Sequence, residues 1–199
     1  MIKKKLMPLM KQVEHKARVF PFHPNTLTVG GLFFAIVAFV VAIGYQNLLA
    51  GFILFLFAFA IDAIDGMVAR AKKLQSKKGA FLDGIFDRLV EFLLLVTMWL
   101  VFPFGRLEEL ALLLILFFGT AMTVFVKAYA EHSQMLKHEA ALSMPGLLER
   151  PERSILLLAI FWLSASGFWQ FAIVLLYVTV LLSILTFLQR FAIAYFGKD

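Results

Sequence analysis

Long apolar runs alternate with short charged connections along this chain. Leu32–Gly44, Gly51–Ile61, Phe92–Phe102, Leu110–Val126, Ile155–Phe168 and Phe171–Leu188 contain no charged residue. They approach or reach the roughly 20 residues that a helix needs to cross about 30 Å of hydrocarbon. Carried outward to the nearest polar or helix-breaking positions, they predict six transmembrane helices at about 27–46, 48–70, 79–102, 107–131, 153–168 and 170–196, the fifth being short. Pro21 and Pro24 separate the first span from what precedes it. Pro103 and Gly105 end the third, and Pro145-Gly146 with Pro151 break the connection before the fifth. With no internal repeat and no long linker, residues 1–199 read as a single membrane-embedded domain of the all-α integral membrane class.

Composition agrees with that pattern. The 199 residues are 62% hydrophobic and only 16% charged, with 23 phenylalanines. The absence of cysteine excludes disulfides, thiolate chemistry and cysteine-ligated zinc. Charge position is more informative than the net +6. Lys3, Lys4, Lys5, Lys11, Lys16 and Arg18 precede the first span, Arg70, Lys72, Lys73, Lys77 and Lys78 fill the second connection, and Lys137, Arg150 and Arg153 the fourth. The opposite connections hold only Arg106, beside Glu108 and Glu109. By the positive-inside rule, both termini and the second and fourth connections face the cytoplasm of a multi-pass cell-membrane protein. Lys3–Phe20 mixes these cations with Leu6, Met7, Leu9, Met10, Val13 and Val19, the composition of a juxtamembrane amphipathic helix over 1–20. That basic segment leads into a span long enough to stay as an anchor, so no signal peptide is expected. Trp99, Trp162 and Trp169 read as an outer aromatic belt, and His23, His132 and His138 as interface histidines without metal spacing.

Four carboxylates inside apolar segments demand a cause. Asp62, Asp65, Asp83 and Asp87 fall in the second and third spans, where an aspartate costs about 2.5–3.5 kcal/mol at a helix centre, so each must be paired or ligated. Asp62 and Asp65 are three apart and Asp83 and Asp87 four apart, which puts each pair on one helix face. Asp62 and Asp87 both lie eight residues in from the cytoplasmic ends at Arg70 and Gly79, so an antiparallel hairpin brings all four to one depth. Such an oxygen-rich cage suits one or two hard cations such as Mg²⁺. Gly66 and Ala69 extend the first acidic face, Gly79 precedes Asp83 by one turn, and these with Gly84 leave room for a ligand against the backbone. Arg88 and Glu91 are expected to pair with each other or with a neighbouring helix.

Together these positions resemble a family, the CDP-alcohol phosphotransferases, integral membrane enzymes of phospholipid synthesis. Their signature, Asp-x-x-Asp-Gly-x-x-Ala-Arg, about eight residues, Gly-x-x-x-Asp-x-x-x-Asp, is met at Asp62, Asp65, Gly66, Ala69, Arg70, Gly79, Asp83 and Asp87. Pro24-Asn25-Thr26-Leu27-Thr28 is similar to the segment that opens the family's first helix. The resemblance implies the family's six-span fold, commonly as a homodimer, and transfer of a phosphatidyl-type group from a CDP-lipid to an alcohol, with release of CMP. It implies two Mg²⁺ ions, with Mn²⁺ as a substitute, held by Asp62, Asp65, Asp83 and Asp87. Asp87 would also take the acceptor's proton. Asn25, Thr28, Gly66, Ala69, Arg70, Ser76 and Gly79 would contact the nucleotide or its diphosphate. No nucleic-acid partner is implied.

Acceptor identity depends on other residues. Lys127 lies inside the fourth span, Arg190 inside the last, and Arg150 and Arg153 straddle Pro151. Intramembrane cations that do not snorkel face a polar cavity or a partner. Here they make a candidate site for an acceptor that carries its own phosphate. The chain resembles the branch that makes phosphatidylinositol phosphate or archaetidylinositol phosphate, which implies inositol 1-phosphate as acceptor. Glycerol 3-phosphate is the nearest rival and serine a more distant one. A divalent-cation transporter would also explain buried acids, but not Arg70 at the cytoplasmic mouth.

Overall fold

A computed structural model of the chain describes residues 23–72, 74 and 76–197. The basic segment Lys3–Phe20, Pro21 and Lys73 lie outside the described residues, and with them the expected amphipathic helix. Regular structure among the described residues is helical: α1 Pro24–Gly44, α2 Leu48–Lys72, α3 Lys77–Val101, α4 Arg106–Leu114, a π-helical stretch Ile115–Met122, α5 Thr123–His132, α6 His138–Ser143, α7 Arg150–Ala165 and α8 Trp169–Phe196. The polarity of a soluble fold is reversed. Phe33, Leu100, Ile155 and Val174 are each more than 60% exposed, while Glu91, Thr97, Thr179 and Thr186 are fully buried. An apolar surface over a partly polar interior is what lipid solvation requires.

Among the described residues four helical stretches are long and apolar enough to cross a membrane: Asn25–Gly44, Leu48–Lys72, Arg106–His132 and Trp169–Phe196. Six were expected. The other two are present as helices but fall short for different reasons. α7 has only 16 residues. α3 has 25, but Lys77, Lys78, Asp83, Asp87, Arg88 and Glu91 interrupt its apolar character.

The chain divides into two compact units, residues 1–93 and 94–199. In the first, α1 and α2 pack through small residues. A methyl added at Gly51 would sit 2.8 Å from Ala42 Cβ and 3.4 Å from the Ala38 carbonyl oxygen, and one at Gly31 would lie 3.4 Å from the Ala58 carbonyl oxygen. That pairing makes the two helices antiparallel. Ala35, Ala38 and Ala42 of α1 and Phe55 and Ala58 of α2 are fully buried. Without a hydrophobic drive between helices in lipid, close backbone approach gains dispersion contacts in its place. The N-terminus of α1 is capped by His23, whose Nδ1 accepts the Asn25 N–H at 3.3 Å.

In the second unit, α7 and α8 pack around Leu157, Ile160, Phe161 and Leu176, all fully buried. Phe102 stacks edge-on against Phe161 (5.2 Å) and Trp169 (5.8 Å), so Trp169 belongs to an aromatic cluster, whereas Trp99 and Trp162 remain more than 40% exposed. Thr179, Ser183, Thr186 and Arg190 recur at three- and four-residue spacing along the buried face of α8. The π-helical stretch was not anticipated. Within it Gly119 leaves space that a methyl could not take without lying 3.1 Å from Arg153 Cδ and 3.0 Å from Ser183 Oγ. Pro151 does not break the chain before α7; it occupies the first turn, where its missing N–H costs nothing.

Candidate metal and nucleotide site

The first unit holds the acidic cluster. α2 and the N-terminal half of α3 bring Asp62, Asp83 and Asp87 together so that one carboxylate oxygen of each lies within 4.8 Å of the others. Oxygens that share a Mg²⁺ at about 2.1 Å are at most about 4.2 Å apart, so a small adjustment closes this trio on one ion. Asp65 stands apart from the trio. It is 4% exposed, hydrogen-bonded to the Thr28 side chain, and within electrostatic reach of Asp62 and Asp83. Its Oδ2 is buried with no hydrogen-bond partner among the described residues. A buried carboxylate oxygen left this way is costly unless a cation or water completes it. Hard oxygen donors, a near-closed trio and an unsatisfied fourth carboxylate fit a divalent cation.

Asp87 is not alone on its helix. Arg88 Nη1 donates to Asp87 Oδ2 at 3.0 Å and to the Gly84 carbonyl at 2.9 Å, while Asp87 itself is 6% exposed. Arg88 was expected to pair with Glu91 or with a neighbouring helix, and its bond to Asp87 was not foreseen. Adjacent residues on a helix do not ordinarily face each other, so spacing offers no hint of this pair; the Gly84 carbonyl one turn back folds the guanidinium toward Asp87. Gly84 meets nothing within 4 Å where a Cβ would stand, so no protein neighbour requires its small size.

Beside the acids opens a cavity of about 330 Å³, lined by Asn25, Thr28, Asp65, Gly66, Ala69, Arg70, Leu74, Ser76, Gly79, Ala80 and Asp83. All seven residues put forward for nucleotide contact lie on its wall. Leu74 and Ala80 were missed, since neither carries a chemical signal in the sequence. Asp83 belongs to both the acidic trio and the cavity wall. Local structure explains the small residues. Ser76 Oγ accepts the Gly79 N–H at 3.0 Å and so caps α3. A Cβ on Gly79 would press on that oxygen at 3.0 Å and on Asn25 Oδ1 at 3.1 Å. A Cβ on Gly66 would reach Arg70 Nη1 at 3.4 Å. These glycines let three polar groups of α1, α2 and the α2–α3 connection converge on one space.

The remaining candidates, Lys127, Arg150, Arg153 and Arg190, all belong to the second unit. Arg190 is 7% exposed, and its Nη1 donates to the Thr123 carbonyl at 3.1 Å and its Nε to the Pro145 carbonyl at 3.4 Å. Gly146 admits it: a methyl there would lie 3.0 Å from Arg190 Nη2 and 2.8 Å from Thr186 Cγ2. Leu148 N–H donates to Thr186 Oγ1 at 2.9 Å, fixing the 145–149 connection against α8. Arg153 is 4% exposed and passes Gly119. Lys127 lies within electrostatic reach of Arg190 and Glu149. Arg150 is half-buried in the first turn of α7. Of the other ionisable residues singled out, His138 has its Nδ1 2.8 Å from Glu131 Oε1, and Glu108 Oε1 accepts from the Tyr177 hydroxyl at 2.9 Å.

Comparison with known proteins points one way. The family model described as CDP-alcohol phosphatidyltransferase matches residues 22–185. The chain is 31% identical over 160 residues to the bifunctional IPC transferase and DIPP synthase of Archaeoglobus fulgidus, covering 76% of this chain and 31% of that protein. It is 32% identical over 141 residues to the phosphatidylinositol phosphate synthase of Mycobacteroides abscessus, covering 69% and 61%. With the archaetidylinositol phosphate synthase of Pyrococcus horikoshii, identity is 31% over 167 residues, 84% of this chain and 80% of the relative. The chain thus spans less than two thirds of the first two relatives. The crystal structure of Mycobacterium tuberculosis phosphatidylinositol phosphate synthase with CDP-DAG bound matches with a TM-score of 0.72 and 24% identity over 94% of this chain and 92% of that one. At that identity the likeness is one of fold. The same protein in complex with manganese and citrate matches with a TM-score of 0.72 over 94% and 88%.

Proposed function

The chain belongs to the CDP-alcohol phosphatidyltransferase family, and from that premise we propose that it moves a phosphatidyl-type group from a CDP-lipid to the hydroxyl of a phosphorylated alcohol. The observation that carries this reading is the double membership of Asp83, in the acidic trio and in the wall of the 330 Å³ cavity. It puts the cation-binding acids directly beside a space edged by Arg70, Asn25 and Ser76, which suit a diphosphate and its nucleoside. A cation transporter would not call for Arg70 on that wall, which would repel its cargo.

Asp62, Asp65, Asp83 and Asp87 would hold Mg²⁺ or Mn²⁺, which when bound stabilises negative charge on phosphoryl oxygens and the departing CMP. The protein's residues do the rest. Arg70 and the polar groups of Asn25, Thr28 and Ser76 position the CDP group, and the missing side chains at Gly66 and Gly79 let it lie against backbone. The acceptor oxygen forms a bond to the lipid-bearing phosphorus while the bond from that phosphorus to the CMP oxygen breaks. Asp87 takes the hydroxyl proton, and Arg88 holds its carboxylate through Oδ2.

For the acceptor, the names of the relatives favour inositol 1-phosphate, and the buried Arg153 and Arg190 favour a phosphorylated alcohol over serine. The six-span arrangement remains our reading of the membrane topology. The 25 residues of α3 measure about 37 Å, and α7 extends about 24 Å, enough with polar flanks to cross a locally thinned bilayer. Arg70, Lys72, Lys77 and Lys78 put the site near the cytoplasmic face. The test is CMP release from a CDP-lipid with inositol 1-phosphate, glycerol 3-phosphate and serine in parallel. Activity with inositol 1-phosphate in clear excess is expected. Release with none of the three would overturn the transferase reading, and release with glycerol 3-phosphate or serine alone would overturn the acceptor.

A further inference from the structure

Glu149 has the place of a helix cap and does not act as one. It precedes α7 with extended backbone (φ −82°, ψ 174°), the ordinary N-cap conformation, yet its side chain makes no capping hydrogen bond. Its Oε1 lies 3.8 Å from Arg190 Nη2, and its charge acts on Lys127 as well. The two cations act on each other with like charge. The partners differ in freedom: the Glu149 side chain is 50% exposed and that of Arg190 only 8%.

Arg190 does not depend on this carboxylate for its place. The Thr123 and Pro145 carbonyls accept from it at 3.1 and 3.4 Å, and Gly146 lies so close that a methyl there would stand 3.0 Å from Nη2. Glu149 therefore acts as a loose counter-ion over a fixed guanidinium. We propose that Glu149 is an internal stand-in for the acceptor's phosphate, covering Lys127 and Arg190 until a more highly charged group displaces it. This rests on the acceptor reading above and adds a source of selectivity. A phosphate monoester brings a charge of about −1.5 to −2 and three acceptor oxygens, against one negative charge on Glu149, so it wins the exchange. A neutral or zwitterionic alcohol offers no anion to exchange and leaves the carboxylate in place.

The experiment is acceptor kinetics with Glu149→Gln and with Glu149→Ser, the second restoring a residue that caps helices well. Removing the stand-in should lower KM for inositol 1-phosphate about two- to five-fold, the range for partly exposed ion pairs, without a matching change in kcat. Inorganic phosphate should inhibit both variants at correspondingly lower concentration, and the difference from wild type should shrink as salt is raised. An unchanged or raised KM in the two variants, alongside a raised KM in Arg190→Gln, would overturn the stand-in while leaving the acceptor site standing. If Arg190→Gln leaves KM unchanged and inorganic phosphate does not compete with the acceptor in wild type, the acceptor site fails and the stand-in with it.

Discussion

Replacing Gly79 with alanine should separate binding from stability, and Gly84 supplies the control. A methyl at Gly79 would stand 3.0 Å from Ser76 Oγ and 3.1 Å from Asn25 Oδ1, distances at which a neighbour has to move. Moving Ser76 weakens the cap that its oxygen makes with the Gly79 N–H, at a cost of about 1 kcal/mol. Alanine in place of glycine returns up to about 1 kcal/mol of helix propensity. The two offset each other, so Tm should stay within a few degrees of wild type, a kcal/mol being about 2–4 °C in a chain of this size. The cavity has no such offset. Asn25 and Ser76 both line it, and two displaced polar groups at about 0.5–1.5 kcal/mol per hydrogen bond amount to about 1–3 kcal/mol, or roughly 5- to 150-fold in affinity. Gly84→Ala makes the same chemical change on the same helix, where the added methyl meets nothing within 4 Å. The assay is CDP-lipid titration in detergent with metal present, alongside thermal unfolding. Equal CDP-lipid affinity in Gly79→Ala and Gly84→Ala would refute the reasoning, as would a loss of affinity in Gly79→Ala that merely tracked a fall in Tm.

Asp87→Asn should lower turnover by about 10²–10⁴-fold while retaining most CDP-lipid binding; near-normal turnover in the purified variant would remove Asp87 from the proton-accepting role. Arg88→Gln should reduce kcat about ten-fold with little effect on KM for the CDP-lipid, because its bond to Asp87 Oδ2 is charge-assisted but partly exposed. A change in KM alone would show that Arg88 contacts substrate. Chelation should abolish thermal stabilisation by CMP, and Mg²⁺ or Mn²⁺ should restore it; stabilisation by metal with no nucleotide effect would favour the transporter. Gly51→Leu should cost at least about 1–3 kcal/mol through overpacking against Ala38 and Ala42, visible as a drop in Tm without a selective change in KM.

How much of this was legible in the sequence varies with the physics behind each feature. Spacings of three and four residues among the aspartates report helix faces directly, and the trio Asp62, Asp83 and Asp87 meets as that periodicity requires. Asp65 shows the limit of the same rule. It shares a helix with Asp62, yet Thr28 of α1 holds it on the cavity wall, and no periodicity within α2 reveals a partner on another helix. The Arg88–Asp87 pair was hidden because neighbours in sequence diverge on a helix. Ile115–Met122 was hidden for another reason. Its run of Ile, Leu, Phe, Phe, Gly, Thr, Ala and Met is apolar almost throughout, and a uniform run carries no phase from which to tell π-helical winding from α-helical.

Among the described residues four helices satisfy a hydropathy criterion where six spans were expected, and the two that do not, α3 and α7, are those most interrupted by charge or shortest. Hydropathy identifies a span by its lack of charge, so acids and cations gathered within a helix hide it from that criterion. α3 carries Asp83, Asp87, Arg88 and Glu91 within nine residues, and these erode its membrane signal. α2 carries two aspartates and still qualifies, because both lie in its C-terminal half and thirteen apolar residues or glycines and alanines run unbroken from Leu49 to Ile61. The shortness of α7 follows from its start. Arg150, Glu152 and Arg153 occupy its first turn, and this leaves only the residues from Ser154 onward for hydrocarbon. Asp83 and Asp87 of α3 and Arg150 and Arg153 of α7, all proposed above for binding, are among the charges that interrupt these two helices. The apolar pattern should therefore be read together with the charges that interrupt it, since Asp83 and Asp87 both erode the signal of α3 and belong to the acidic trio.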